Sequence, residues 1–376
     1  MSEHEDFVYR DALPDGVAHR RGAGINPGNR FETHRLHVLG EEIDRQWVER
    51  QEGDGSERRV ERQVFLDRTQ TIINQVAKTS DVPFDWTVNP YRGCEHGCIY
   101  CFARPYHEYL GFSSGLDFET KLMAKPDAAR LLREELASPR WKGEPIVMSA
   151  ITDIYQAIEH KMRIARQCLE VMVECGQPVT TMTKSALVLR DTDLWAEMAK
   201  KNAGRVIITL VTLDADLAQK LEPRASSPMG RLRAIRELTA AGVPVSVNVA
   251  PIIPGLTDVE LPRILEAVAE AGAKRAAWVL LRLPYQLKEI FLDWLQRSVH
   301  PDRARKVESL IRQARGGKLY DASAEGRRRG KGAIVEQLAQ TFDVFTRKYG
   351  LNRDIRPLST AHFRRPEVGG QMRLFT

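Results

Sequence analysis

Between Pro83 and Pro284 the chain alternates short apolar, β-branched runs with longer amphipathic windows. Strands are predicted at 86–89 (WTVN), 146–150 (IVMSA), 179–183 (VTTMT), 206–212 (VIITLVT), 245–250 (VSVNVA) and 277–283 (AWVLLRL). Between them, helical spacing predicts helices at 126–137, 160–174, 190–201, 228–241 and 258–271. Two of these helices run into a glycine, Gly242 and Gly272, as helix C-termini commonly do. Strands alternating with helices in this way build βαβ units on a parallel sheet. Six such units predict an α/β fold, a partial (β/α)6 barrel of the TIM type rather than a complete eight-fold one.

The flanks differ from this core, and the chain divides into residues 1–82, 83–285, 286–350 and 351–376. The first stretch is polar and rich in Gly, Arg and Glu, with RRGAGINPGNRFE at 20–32 and no sustained period. It reads as an irregular extension, draping over the barrel mouth. After Pro284 come helices at 286–297, 301–314 and 332–348, then a tail without period.

The net charge of +6 on 376 residues is concentrated rather than spread. Arg297, Arg303, Arg305, Lys306, Arg312, Arg315, Lys318, Arg327, Arg328, Arg329 and Lys331 face only four acids in that stretch. Such a segment, 297–331, can contact nucleic-acid phosphates, or form a solvated basic helix face. The apolar runs are too short to cross a bilayer, and the acidic N-terminus has no secretory pattern. With five cysteines, three of them clustered, a reducing, cytoplasmic location is expected.

That cluster is CEHGCIYC at 94–101. Three thiolates are one short of a closed tetrahedral zinc site, and they lie too close in sequence for pairing to staple much chain. On a short glycine-bearing loop they can hold three corners of a [4Fe–4S] cube, leaving the fourth iron open. A zinc site completed by His96 or His107 fits the same residues. Cys168 and Cys175, seven apart in a helical window, lie on one face and read as core packing.

Cys-x3-Cys-x2-Cys with Tyr100 before the last cysteine resembles the signature of the radical S-adenosylmethionine superfamily. TDIYQAIE (152–159), TMTKS (181–185), LEPRASSPMGRLRAIRELTAAG (221–242) and VAPIIPGLTD (249–258) resemble its spore photoproduct lyase-like, or DNA repair photolyase-like, branch. The resemblance implies a [4Fe–4S] cluster on Cys94, Cys98 and Cys101, with S-adenosylmethionine chelating the free iron and an external one-electron donor. It further implies cofactor contacts from Tyr100, Thr152, Asp153, Lys184, Thr209, Thr212 and Glu222, the last expected to pair with Arg224. Two positions depart from the branch pattern. Ala150 replaces the cysteine that returns hydrogen to product, and Phe102 replaces a tyrosine.

The expected function is repair-like radical chemistry on nucleic acid or a nucleotide derivative, of a lyase-like or oxidoreductase type. The alternatives are an RNA, peptide or small-metabolite substrate, or a non-catalytic iron–sulfur or zinc nucleic-acid-binding protein. The terminal QMRLF, with Gln371, Leu374 and Phe375, resembles the peptide by which bacterial repair proteins bind the sliding clamp.

Overall fold

A computed structural model describes residues 20–31, 62–78, 80, 82–323, 330–353 and 356–367. The clamp-like peptide at 371–375 and the arginines at 327–329 lie outside the described residues.

The core is a seven-stranded sheet. Six parallel strands, β3 (Trp86–Val88), β6 (Ile146–Met148), β7 (Val179–Thr183), β8 (Gly204–Thr209), β9 (Val245–Ile252) and β10 (Arg275–Leu280), stand in that spatial order. An antiparallel strand, β2 (Ile73–Gln75), flanks β3, and β10 forms the other edge. Among the described residues the two edges do not pair, so the barrel is partial, as the alternation predicts.

Five helices cover the outer face: α1 (Ala128–Ala137), α2 (Ile164–Cys175), α3 (Thr192–Lys200), α5 (Pro228–Ala240) and α6 (Leu261–Glu270), with α4 (Ala215–Leu221) after β8. Their apolar stripes bury Val179, Val206, Ile208, Val247 and Val249, together with Cys168 and Cys175, in one core. Side chains alternate across a strand, so the intervening residues face inward. Met182 and Ile207, which are paired in register, together with Thr180, Asn248 and Ala250, are only half-buried. The outer face is therefore closed and the inner face open. Gly242 and Gly272 take positive φ of 80° and 100°, as their helix-terminating role requires.

The sequence pattern missed a second, three-stranded sheet of β1 (Gln63–Leu66), β5 (Lys121–Ala124) and β4 (Tyr91–Arg92). β1 and β2 fall within the stretch expected to be irregular. All four residues of β1 are exposed, so no buried face imposed a period on it. Beyond β10, α7 (Leu287–Ser298), α8 (Pro301–Gln313) and α9 (Ala333–Lys348) stand where the helical spacing predicts helices, and their apolar faces pack into the core.

Residues 356–367, in the tail without period, form a strap. Asn202 Nδ2 donates to Pro357 O at 2.9 Å, Ser359 N to Asn202 O at 2.8 Å, and Arg364 N to Cys175 O at 2.7 Å. These anchors belong to the N-terminal ends of the strands, opposite the cysteine loop. The Phe363 ring packs against Gly143, where a Cβ would come within 2.8 Å of it. Phe363→Ala is expected to lower the unfolding free energy by about 1–2 kcal/mol, because half-buried ring area is lost. Chemical denaturation measures this, and an unchanged midpoint would mean the strap adds no stability.

Candidate active site

The three cysteines follow β3 on a loop at the C-terminal end of the sheet, the end at which barrels of parallel strands assemble chemistry. Backbone bonds fix the loop: Cys94 N to Phe118 O at 2.9 Å, Ile99 N to Leu221 O at 3.0 Å, and Cys101 N to Cys98 O at 3.2 Å. Gly97 has φ +66°, and a Cβ there would lie 2.7 Å from Glu119 Oε2. No other residue fits this turn without displacement.

Arg104, fully buried, holds the loop from beneath. It donates to Cys98 O at 2.9 Å, Gly97 O at 3.1 Å and Gly115 O at 2.8 Å. Glu119, also fully buried, pairs with it at 2.6 Å. Glu119 in turn accepts from Gly22 N at 3.0 Å and Ala23 N at 2.8 Å. Residues 20–31 are thus ordered against the cysteine loop. Gly22 lies so close that a Cβ would come 1.9 Å from Gly97 O.

All five cysteines are free thiols. Burial pushes Cys98 up to about 12 and Cys94 well above its ordinary value, so without a bound cation both remain protonated. Among the described residues no three His, Cys, Asp or Glu side chains converge on a single ion. Three ligands of a cube bind three different irons and need no such convergence, so the thiols suit a cluster better than a mononuclear metal. Neither histidine completes a zinc site. His96 Nδ1 lies 3.3 Å from Asp153, and His107 is buried against Phe112 and Phe118.

The other expected residues gather at the ends of β6, β7 and β8. Thr152 Oγ1 donates to Gly93 O at 2.6 Å and ties the end of β6 to the cysteine loop. Asp153 accepts from Thr183 Oγ1 at 2.8 Å, Lys184 N at 2.8 Å and Tyr155 N at 2.9 Å. Burial alone would raise its carboxyl, but His96 and these donors hold it below the ordinary value. Asp153 therefore orients the loop ends. Lys184 Nζ lies 5.8 Å from the Tyr100 ring centroid.

Tyr100 donates its hydroxyl to Glu222, which is buried and ion-paired with Arg231. The expected Glu222–Arg224 pair is not formed. Arg224 instead reaches Glu95 at 3.3 Å, while Arg231, one turn into α5, also donates to Thr209 O at 3.0 Å. Burial opposes the charge on Glu222, yet Arg231 and Lys184 outweigh it and keep the carboxyl below its usual range. Thr209 closes β8. Thr212 lies beyond the strand end, not on it, and its hydroxyl is bound to Glu260.

Sequence reasoning missed Arg104, Glu119 and Arg231, whose charges read as surface residues. It also missed Ser149, at φ +85°, whose Oγ lies 2.6 Å from Thr152 O and 2.7 Å from Met182 O, the two carbonyls that compete for its one proton.

The Radical SAM superfamily model matches residues 88–268. An uncharacterized protein of Mycobacterium tuberculosis is 36% identical over 246 residues, covering 65% of this chain and 72% of the relative. The chain belongs to the radical SAM superfamily. Members of this superfamily use a [4Fe–4S] cluster and S-adenosylmethionine. A radical SAM Nalpha-GlyT isomerase of Pseudomonas phage M6 is 24% identical over 232 residues, 61% of this chain and 46% of that protein. The fold is that of spore photoproduct lyase, solved in complex with a dinucleoside spore photoproduct. The two share 16% identity and a TM-score of 0.55, over 77% of this chain and 80% of the other.

On the 3-10 turn Arg104–Leu110, burial lowers His107 to about 4. The unfolded chain takes up that proton near pH 6.5, so stability present at neutral pH is lost as pH falls from about 6.5 toward 4. The loss attributable to His107 is ~3 kcal/mol, and His107→Leu should remove it. Urea midpoints at pH 7 and pH 4.5 test this. An equal acid sensitivity in both proteins would contradict it.

Proposed function

We propose that this protein is a radical S-adenosylmethionine enzyme acting on nucleic acid or a nucleotide derivative. Cys94, Cys98 and Cys101 would hold the [4Fe–4S] cluster, which three thiolates leave with one iron for S-adenosylmethionine. The observation that carries the proposal is the placement of three free thiols on one pinned loop beside the half-open inner face of the sheet. When bound, the reduced cluster supplies the electron that cleaves the cofactor's C–S bond.

The chain's own residues prepare this chemistry by positioning. Arg104 and Glu119 fix the loop carbonyls, and Thr152 ties β6 to Gly93. Asp153 orients His96 and the backbone at Lys184, whose half-buried ammonium is suited to a cofactor carboxylate. Glu222 and Arg231 hold Tyr100 against the same loop, and Thr209 offers a hydroxyl at the end of β8.

For the substrate class, support comes from two proteins of the comparison. One is by name a GlyT isomerase, and the other was solved with a dinucleoside ligand. Repair of a thymine lesion by hydrogen return from residue 150 is not part of the proposal. Ala150 has no S–H, and its N–H is held by Asn89 Oδ1 at 3.0 Å.

Much of the basic segment is engaged within the protein. Arg315 donates to Leu281 O at 2.6 Å, and Arg312 and Arg305 pair with Glu308 and Asp302. We therefore assign Arg315, which is buried, a structural role.

Anaerobic reconstitution followed by dithionite reduction with S-adenosylmethionine is expected to release 5′-deoxyadenosine. Cys98→Ala should reduce that release to background, and a nucleic-acid substrate should raise it. Absence of cleavage at about four irons per chain, with or without nucleic acid, would overturn the enzymatic proposal.

A further inference from the structure

Three segments far apart in sequence bring aromatic rings to one edge of the cysteine loop. Phe31 lies at the end of the N-terminal segment, Tyr106 and Tyr109 sit on the 3-10 turn Arg104–Leu110, and Tyr285 follows β10. They are 52%, 50%, 65% and 60% exposed, in contrast to the fully buried aromatic residues of the core.

Arg30 organises them. Its guanidinium lies 3.8 Å from the ring centroid of Tyr285, 4.8 Å from that of Phe31 and 5.8 Å from that of Tyr109. Phe31 and Tyr109 are 4.9 Å apart, and Tyr106 lies 6.3 Å from Tyr109. Arg30 is held in turn by Glu108 at 2.8 Å, and Asn29 Nδ2 donates to Glu108 O at 2.9 Å. The rings are thus fixed by a charged hub instead of burying one another. A ring kept half in water presents a flat π-face to a ligand.

Position and charge suggest the occupant. Phe102, the residue after Cys101, is also 49% exposed, so the ring surface runs toward the candidate site. Tyr285 and Tyr109 belong to opposite edges of the partial barrel, which places the rings at its mouth. At the other end of segment 20–31, Arg20, Arg21, Lys220 and Arg297 line a cavity of about 410 Å³, in which Arg297 is paired with Asp293 at 2.8 Å. Flat rings at one end of this segment and a mainly cationic cavity at the other match unpaired bases joined by phosphates. Stacking tolerates any base, and the cations attract the backbone.

We infer that Phe31, Tyr106, Tyr109 and Tyr285 form a stacking platform for unpaired nucleic-acid bases at the barrel mouth, with phosphates following segment 20–31 toward Arg20 and Lys220. The inference rests on the nucleic-acid reading above and gives it a specific form: a single strand, or bases extruded from a duplex.

The test is fluorescence anisotropy of the full chain with a labelled single-stranded oligodeoxynucleotide and with its duplex, over a range of salt. The wild type is expected to favour the single strand. Phe31→Leu with Tyr109→Leu should weaken binding by at least about tenfold at unchanged salt slope, since stacking is lost but phosphate contacts remain. Tyr109→Trp, which keeps a ring, should bind as the wild type does. Arg20→Gln with Lys220→Gln should instead flatten the salt dependence. Equal affinity of the double Leu variant and the wild type would overturn the platform while leaving nucleic-acid binding intact. Failure of the wild type to bind either oligonucleotide at low salt would remove the nucleic-acid reading and the platform with it.

Discussion

The buried ion pair between Arg104 and Glu119 is the contact on which the arrangement of this protein depends. Arg104 reads the carbonyls of Gly97 and Cys98, and Glu119 receives the backbone of Gly22 and Ala23. Two charges removed from water are costly, and losing either partner would leave the other uncompensated, an effect of about 3–5 kcal/mol. Such a pair persists where every donor and acceptor is matched. Here the match spans the cysteine loop, its flanking turn and the N-terminal segment. The loop is consequently held in shape by the protein itself.

The same economy of positioning extends outward from the loop. Thr152, Asp153 and His96 tie the ends of β6 and β7 to it, and Glu222, Arg231 and Tyr100 tie in the end of β8 and the start of α5. Two segments flanking the core cover opposite ends of its strands. Segment 20–31 lies along the cysteine loop at the C-terminal ends of the strands, and segment 356–367 crosses their N-terminal ends. The inner face between them remains half-exposed, which is what a radical SAM protein needs in order to admit a substrate to a loop-bound cofactor.

The six parallel strands were legible because helices cover one face of the sheet, and most of the residues buried there are apolar and β-branched. The cysteine loop was legible because few functions need three cysteines in eight positions. Strands β1 and β2 were not, since their residues are mostly exposed and a partner strand alone sets their pairing. Segment 20–31 reads as coil because it is coil. Its order comes from Glu119, Asp117 and Ser113, some ninety residues away in sequence. Arg104, Glu119 and Arg231 look like surface charges until the fold buries them. Glu222 was expected to pair with Arg224 on proximity, whereas α5 brings Arg231 to it and turns Arg224 toward Glu95.

The most direct test of the central claim, that three thiols hold a cluster with one iron open, is Mössbauer spectroscopy of the protein reconstituted with iron-57. Spectra would be recorded with and without S-adenosylmethionine. The account predicts a [4Fe–4S] signal in which one iron alone changes its isomer shift when the cofactor is added. A cluster whose irons all remain unchanged, or a protein that retains zinc and no cluster, would contradict it.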